Sequence, residues 1–345
     1  MTRARLVIVA LAAVAAIAPL PPQTIEHWYS NAFYAWLQPF VTKVSSPPPV
    51  ALLDLAALAL VMAAMIHLRR LWHTSASGEW LRRTALSAIF TVAVLYLWFL
   101  LFWGLNYRRM PLEEKLAYDP SRVTRARALE VGQLAVRQVN ELAAQARTPG
   151  LDGDALARSL AEVQQLLGAT RVARTAPPKR SLLTWYFRKA GIDGMTDPFF
   201  LEIIVNPEVL PFERPFTLAH EWAHLAGYAD ESEAGFVAWL ACIRGTPDAR
   251  YSGWLSAYEH IAGALPRDER KALRDALSPL VVADLLAVNQ RFARANPRIS
   301  AAARNVYDTY LRANRIEEGI ASYGMVVRLM LGTTFDANWT PQLRH

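Results

Sequence analysis

Two histidines and a glutamate stand in this sequence at the spacing of a catalytic metal site. They form His220-Glu221-Trp222-Ala223-His224, the H-E-x-x-H pattern. Residues four apart lie on one face of an α-helix, so both imidazoles can bind one metal ion, and Zn²⁺ is the usual ion for such ligands. Glu221 can act as a general base on a water that the metal activates. The trio predicts a zinc-dependent hydrolase of peptide bonds.

A third protein ligand is needed, and three acidic residues follow the motif closely. Asp230 completes H-E-x-x-H-x-x-G-x-x-D, the spacing of the metzincins with Asp in place of the usual His. Glu233 would bind from the first turn of the next helix, as in the gluzincins. Asp230 and Glu233 also have the spacing of a capping box, and Glu231 suits a helix N-terminus. The residues alone leave all three open.

The elements that must position these side chains can be read from the local pattern. Residues 214–227 predict the metal helix, Gly227 predicts a sharp turn, and residues 231–243 predict a second helix. Residues 199–205, FFLEIIV, predict a strand beside the cleft, whose edge can pair with an extended peptide. Within it, Glu202 points either to substrate or to solvent, and strand alternation favours solvent. Most of the remaining chain up to about residue 331 has a helical pattern.

Three apolar stretches at about residues 6–22, 50–67 and 86–105 predict transmembrane helices, with a lipid bilayer as partner. The first also fits a cleaved signal peptide, but two later spans favour a retained anchor. Basic residues mark the cytoplasmic side by the positive-inside rule and place the chain after residue 105 outside. They are Arg3, Arg5, Arg69, Arg70, Arg82 and Arg83, against Lys43 alone in the first-to-second connection. A group of basic residues just after the third span counts against this orientation: Arg108, Arg109 and Lys115. Glu113 and Glu114, which lie among them, partly offset their charge.

Composition narrows the function classes further. The chain has 345 residues and a formal charge of +7, but its arginines are scattered, so no dense basic patch for nucleic acid is visible. Cys242 is the single cysteine, which excludes an intrachain disulfide and favours a small buried side chain. The aromatic segment 23–49 fits either a helix on the membrane surface or one that packs on the soluble domain.

Several blocks in fixed order resemble a bacterial family of three-pass membrane proteins assigned to the zincin-like metallopeptidases. They cover nearly the whole chain: Glu26 with Trp28-Tyr29-Ser30, the run Trp103 to Arg109, Pro215-Phe216-Thr217 with the histidine motif, Glu231-x-Glu233-Ala234-x-Phe236, and Gly319 to Gly324. The resemblance implies Glu233 as the third ligand, because the E-x-E-A-x-F block recurs in that family. Gly235 departs from it, since Asn is common there. Tyr323 lies in the last block and is the first candidate to stabilise the oxyanion, ahead of His260, Tyr258, Tyr251 and Arg315.

The sequence therefore predicts a mainly α protein with a membrane domain, residues 1–107, and a mostly helical zincin-like domain with a small β element, residues 108–345. His220, His224 and Glu233 are expected to bind Zn²⁺, with Glu221 and Tyr323 in catalysis. The expected location is a bacterial inner membrane, with the catalytic domain outside and a peptide or protein substrate. Two alternatives stay open: a hydrolase of cell-wall or lipid amides, and a non-catalytic membrane assembly factor with a structural metal. The substrate and the oligomeric state are not defined by the sequence.

Overall fold

The structure, a computed structural model, describes residues 2–74, 79–147, 152–316 and 325–344, which are mainly helical with one two-stranded sheet. This confirms the predicted class, mainly α with a small β element. The α-helices before the sheet are α1 (Arg3–Ile17), α2 (Pro22–Thr24), α3 (Ala35–Ser45), α4 (Leu52–Thr74), α5 (Glu79–Phe102), α6 (Leu112–Lys115), α7 (Arg125–Leu142), α8 (Gly153–Leu166) and α9 (Leu183–Ala190). After β1 (Gly194–Asp197) and β2 (Glu202–Val205) come α10 (Arg214–Leu225), α11 (Glu231–Ile243), α12 (Pro247–Ala264), α13 (Arg267–Asp275), α14 (Pro279–Ala293), α15 (Pro297–Ala313) and α16 (Val326–Gly332).

Within the described residues, two helices are long and apolar enough to cross a membrane. These are α4 and α5, which correspond to the second and third predicted spans. The first predicted span, 6–22, is different: its helix α1 ends at Ile17, and the chain then bends by 116° into the helical stretch Pro22–Ser45. A third span results only if this bent pair counts as one.

The aromatic segment that follows α1 packs on the rest of the protein. A π-helical stretch, Ile25–Tyr34, leads into α3. Tyr34 donates its hydroxyl to the carbonyl of Leu225 at 2.7 Å, and the Thr42 hydroxyl donates to the carbonyl of Leu201 at 3.1 Å. One hydrophobic core contains residues from this segment and from the chain after residue 107. The second of the two predicted alternatives is therefore observed, and the packing runs across the predicted domain boundary.

The sheet is an antiparallel hairpin in which Gly194 pairs with Val205 and Asp197 with Glu202. The predicted strand 199–205 was too long, because its first three residues form the hairpin turn. The carboxylate of Asp197 accepts hydrogen bonds from the amides of Phe199 and Phe200, and Leu201 has a left-handed φ of 52°. A turn with these bonds closes the hairpin before β2 begins.

Glu202, at the start of β2, faces neither solvent nor a substrate. Its side chain is fully buried and lies 3.2 Å from the ammonium of Lys179. One carboxylate oxygen accepts hydrogen bonds from the amides of Leu52 and Leu53 at 2.7 and 3.3 Å. The alternation of buried and exposed strand positions predicted a solvent-facing Glu202, but β2 is buried on both faces. The carboxylate instead accepts hydrogen bonds from amides at the N-terminus of α4, which have no partner within the helix.

Replacing Lys179 with Met is expected to lower the free energy of unfolding by about 3–5 kcal/mol, because it leaves the buried carboxylate of Glu202 without its counter-charge. Urea unfolding of the full-length protein in detergent measures this change. The exposed pair of Lys271 and Asp275 provides the control, since Lys271→Met should cost at most about 1 kcal/mol. An equal loss in both variants would contradict this role of Lys179.

The two helices that carry the motif have the predicted positions. The helix α11 covers residues 231–243 as predicted, and α10 ends two residues before Gly227, which has the expected positive φ of 87°. The amide of Gly227 donates to the carbonyl of His224, and the amide of Tyr228 donates to that of Ala223. This turn sends α11 back against α10, and Cys242 is buried as predicted.

Candidate metal centre

The first residues of α11 are oriented by its N-cap. The side chain of Asp230 accepts hydrogen bonds from the amides of Ser232 at 2.8 Å and Glu233 at 3.2 Å. Successive helix positions are about 100° apart, so Glu231 and Glu233 point to nearly opposite sides of the helix. Glu231 is the residue that faces α10.

The side chains of His220, His224 and Glu231 converge. The nitrogen and oxygen atoms available as ligands all lie within 4.8 Å of one another. One oxygen of Glu231 is 3.0 Å from Nε2 of His220 and 3.4 Å from Nε2 of His224. His224 and Glu231 are buried and His220 is partly buried. This is a compact group of two imidazoles and one carboxylate, the ligand classes of an open zinc site.

The hydrogen bonding of His224 shows that the group fits a cation. Its Nδ1 lies 2.8 Å from the carbonyl oxygen of Tyr228, which can only accept, so Nδ1 carries a proton. The other nitrogen, Nε2, therefore presents a lone pair to the carboxylate of Glu231 unless a cation lies between them. A proton or a metal ion can fill that role, and a backbone carbonyl behind the imidazole is the usual support of a metal ligand.

The histidines and Glu231 shift one another's pKa through their charges. Burial alone lowers the pKa of His224, but the charge and hydrogen bond of Glu231 raise it to about 9. Burial would raise the pKa of Glu231, yet the two histidines hold it well below its ordinary value. The carboxylate and a protonated imidazole therefore stabilise each other here, and a metal ion would have to displace that proton, because an imidazole binds a metal only when it is neutral.

Glu233, the predicted third ligand, lies elsewhere. Its carboxylate accepts a hydrogen bond from the amide of Leu112 at 2.6 Å. Burial and the neighbouring Asp230 raise its pKa to about 7. Glu233 is not among the three converging groups, because the half-turn between positions 231 and 233 takes it away from the histidines. Its role as the third ligand stays a prediction, and the geometry favours Glu231. The alternative Asp230 is occupied as the helix cap, the role its spacing predicted.

Glu221 lies against the hairpin. The hydroxyl of Thr196 in β1 is 2.9 Å from a carboxylate oxygen of Glu221 and equally close to its carbonyl oxygen. Gly194 leaves room for the same carboxylate, since a Cβ there would lie 2.5 Å from Oε1. Burial is the main cause that raises the pKa of Glu221, opposed by His220 and His224. A buried, oriented carboxylate with a raised pKa is suited to accept a proton.

If Glu221 is the general base that the sequence predicts, replacing Gly194 with Ala is expected to lower kcat by about 100-fold with unchanged metal content, because the methyl group displaces the carboxylate of Glu221. Turnover and metal content of the same preparation are the measurements. Gly263 is the matched control, since a Cβ there meets nothing within 4 Å. Full turnover of Gly194→Ala, or an equal loss in Gly263→Ala, would show that the close approach has no catalytic consequence.

The last turn of α10 is bound to residues from the first third of the chain. The Trp103 indole donates to the carbonyl of His224 at 2.9 Å, and Tyr34 donates to that of Leu225. Arg109 donates to the carbonyl of Gly227 at 3.0 Å and forms a two-point ion pair with Glu26. These four residues belong to or adjoin the N-terminal blocks noted in the sequence, which gives those blocks a structural role beside the metal helix.

Four of the five candidates for oxyanion stabilisation lie in the described residues, and Tyr323 lies outside them. Tyr251 donates to Asp284, and Arg315 donates to the carbonyls of Ala16 and Ala18. Tyr258 is buried in the hydrophobic core. His260 bonds through Nδ1 to the carbonyl of Ser256, and burial together with the charge of His220 lowers its pKa. His260 therefore lies near the centre, and its role as an oxyanion donor stays a prediction.

Sequence reasoning missed Tyr307. Its hydroxyl donates a hydrogen bond to the second carboxylate oxygen of Glu231, the one turned away from the histidines. Its ring stacks on Tyr310, with centroids 5.9 Å apart. Tyr307 stands on α15 outside every motif, so no local signal marks it. Such a contact orients a ligand carboxylate from behind.

In the part of the chain that the structure describes, the protein is mainly helical, has two or three helices fit to span a membrane, and contains one largely buried His-His-Glu group. The chain belongs to the family described as "Protein of unknown function (DUF3810)", whose model matches residues 29–331. Comparisons with curated proteins and with solved structures gave no match.

Proposed function

We propose that this protein is a membrane-anchored zinc-dependent peptidase in which His220, His224 and Glu231 bind the metal and Glu221 is the general base. One observation carries the proposal: three ligand atoms of the right classes converge within 4.8 Å beside a separate, oriented carboxylate. A structural metal has no need of that fourth group. The site therefore favours hydrolysis over the assembly-factor alternative.

The residues have distinct tasks in this mechanism. Bound Zn²⁺ supplies Lewis acidity and lowers the pKa of a water molecule. Glu221 takes a proton from the water that attacks the carbonyl carbon, while Thr196 holds the carboxylate in place. When the C–N bond breaks, Glu221 returns that proton to the leaving amine. The raised pKa of Glu221 supports both transfers, because it brings the carboxyl closer to the working pH.

The hairpin supports a peptide as substrate. Within the described residues β1 is an edge strand, paired only with β2. It also carries the two residues that touch Glu221, namely Gly194 and Thr196. An extended peptide added to this edge would pass the general base with its backbone hydrogen-bonded. A lipid amide has no extended peptide main chain to use this edge, whereas a cell-wall stem peptide has a short one, so the test of the proposal includes cell-wall substrates.

The proposed location is a bacterial inner membrane, with α4 and α5 in the bilayer and the site on the extracytoplasmic side. Support for the membrane comes from the length and apolar character of these helices. Support for the side comes from the basic residues near the opposite ends, including Arg69, Arg70, Arg82 and Arg83.

The proposal is tested on the full-length protein purified in a non-ionic detergent. We expect about one zinc per chain by elemental mass spectrometry, and cleavage of a mixed peptide library detected by mass spectrometry. A chelator should remove both zinc and cleavage, and added zinc should restore both. Zinc with cleavage of cell-wall or lipid amides alone would replace the peptidase by the second hydrolase. Zinc without hydrolysis in any panel would favour the structural-metal alternative, and absence of bound metal would overturn the proposal.

A further inference from the structure

The short helix α9 is fixed at the start of α4. The amide of Ala51 donates to the carbonyl of Arg180, and the amide of Arg180 donates to the carbonyl of Pro49. The carboxylate of Asp54, in the first turn of α4, accepts from the Ser181 hydroxyl at 2.9 Å and from the amide of Leu182 at 2.8 Å. The entry to α9 is thus held directly beside the point where the candidate span begins.

One face of α9 packs inward. Phe187 is buried in a small apolar cluster with Ala51 and Ile204, and Leu53 and Tyr186 pack against it. The cluster joins α9 to the first turn of α4 and to β2. The helix cannot move away from α4 without exposing this cluster, so its height relative to the span is fixed.

The other face is apolar, basic and uncovered. Leu182 is 70% exposed and Trp185 is 58% exposed, and the exposed Arg188 and Lys189 lie beside them. No carboxylate of the described residues pairs with either basic side chain. Tryptophan with basic neighbours is the composition of helices that lie in a membrane interface.

Contacts of the hairpin turn place the end of α5 at the same height as the start of α4. The indole of Trp98, near the end of α5, donates to the carbonyl of Phe199 at 3.1 Å. Its ring also lies 6.5 Å from that of Phe200. Since Glu202 contacts the start of α4, the six residues from Asp197 to Glu202 join the ends of both spans. The domain therefore approaches the bilayer over α9 and over this turn together.

We infer that α9 lies in the membrane interface, with Leu182 and Trp185 among the upper acyl chains and with Arg188 and Lys189 at the lipid phosphates. The inference rests on the proposed membrane location of α4, to whose first turn the entry of α9 is bonded through Asp54. It does not depend on the proposed hydrolysis. The occupant of this face is then the lipid bilayer. The domain touches the bilayer surface at α9 and at the hairpin turn, in addition to its two spans.

Site-directed spin labelling tests this placement in full-length protein. The background variant is Cys242→Ala, and single labels are introduced through Leu182→Cys and Trp185→Cys. The protein is reconstituted in vesicles of phosphatidylethanolamine and phosphatidylglycerol, and label collisions with dissolved oxygen and with a water-soluble nickel chelate are compared. Val61→Cys, on an exposed position in the middle of α4, is the lipid control. Leu280→Cys, an exposed apolar position at the start of α14, is the water control.

We expect the oxygen-to-nickel collision ratio at positions 182 and 185 to exceed that at 280 several-fold and to stay below that at 61. Ratios at 182 and 185 equal to that at 280, with a high ratio at 61, would overturn the inference and leave the membrane location intact. A low ratio at 61 would instead show that α4 does not span, which removes the basis of the inference. Hydrolysis is not used in either comparison, so its success or failure cannot imitate these outcomes.

Discussion

The variant Glu221→Gln is expected to keep its zinc and to lose about 10²–10⁴-fold in kcat, the usual contribution of a general base. Glutamine has nearly the same shape and can still accept a hydrogen bond from Thr196, so the side chain keeps its position against Thr196 and Gly194. It cannot take a proton from water. Glu221 is not among the converging ligand atoms, so metal content should be that of the unmodified protein.

The comparison needs a charge-matched control. Glu130 is an exposed carboxylate paired with Arg127, and Glu130→Gln should leave both zinc and turnover unchanged. Zinc per chain and initial rates on a peptide chosen from the library are measured on the same preparations. A zinc-loaded Glu221→Gln variant with full activity would sink the mechanism. Loss of zinc together with activity would show that Glu221 belongs to the ligand set instead.

The second prediction with a large expected effect distinguishes Glu231 from Glu233, which both lie in the first turn of α11. Glu231→Gln is expected to weaken zinc binding by more than about 100-fold, since even partners behind a ligand contribute about 10–100-fold. Glu233→Gln should bind zinc as the unmodified protein does. Its amide oxygen can still accept from the amide of Leu112, so α11 keeps its contact with the first residue of α6.

Competition with a chelating dye gives the zinc affinity of both variants, and thermal unfolding in detergent checks that both are folded. Asp230→Asn serves as a control for the cap, because Asn also accepts the amides of Ser232 and Glu233. The reverse pattern, zinc lost in Glu233→Gln and kept in Glu231→Gln, would restore the ligand that the family resemblance implied. Equal affinity in all three variants would rule out a third ligand from this turn.

The bounds of α10 and α11 were predictable because their signals are local. A glycine ends one helix, an aspartate caps the next, and the histidine spacing defines one face. The identity of the third ligand was harder, since Glu231 and Glu233 are two residues apart in equally good positions. What separates them is the partner of Glu233, the amide of Leu112, which is 121 residues away in the chain.

The hairpin is a second case in which local sequence does not predict the structure. The sequence of β1, Gly-Met-Thr-Asp, has none of the alternation that marks a strand, and it is held by pairing with β2 and by Thr196 on Glu221. The predicted strand 199–205 contains all of β2 but begins three residues too early, in the aromatic run that forms the turn. Tyr307 lies 76 residues beyond its partner Glu231. Contacts of this kind are made only by the folded chain and leave no local pattern.

The indole of Trp103 gives the centre a mechanical property. Trp103 follows directly on α5 and donates to the backbone of His224, so no flexible linker separates this candidate span from the His-His-Glu group. A change in the tilt of α5 is expected to shift the backbone of α10 at His224, together with the contacts that Tyr34 and Arg109 make beside it. Because helices tilt when the bilayer is thinner than their apolar length, we expect the spacing of His220, His224 and Glu231 to depend on membrane thickness.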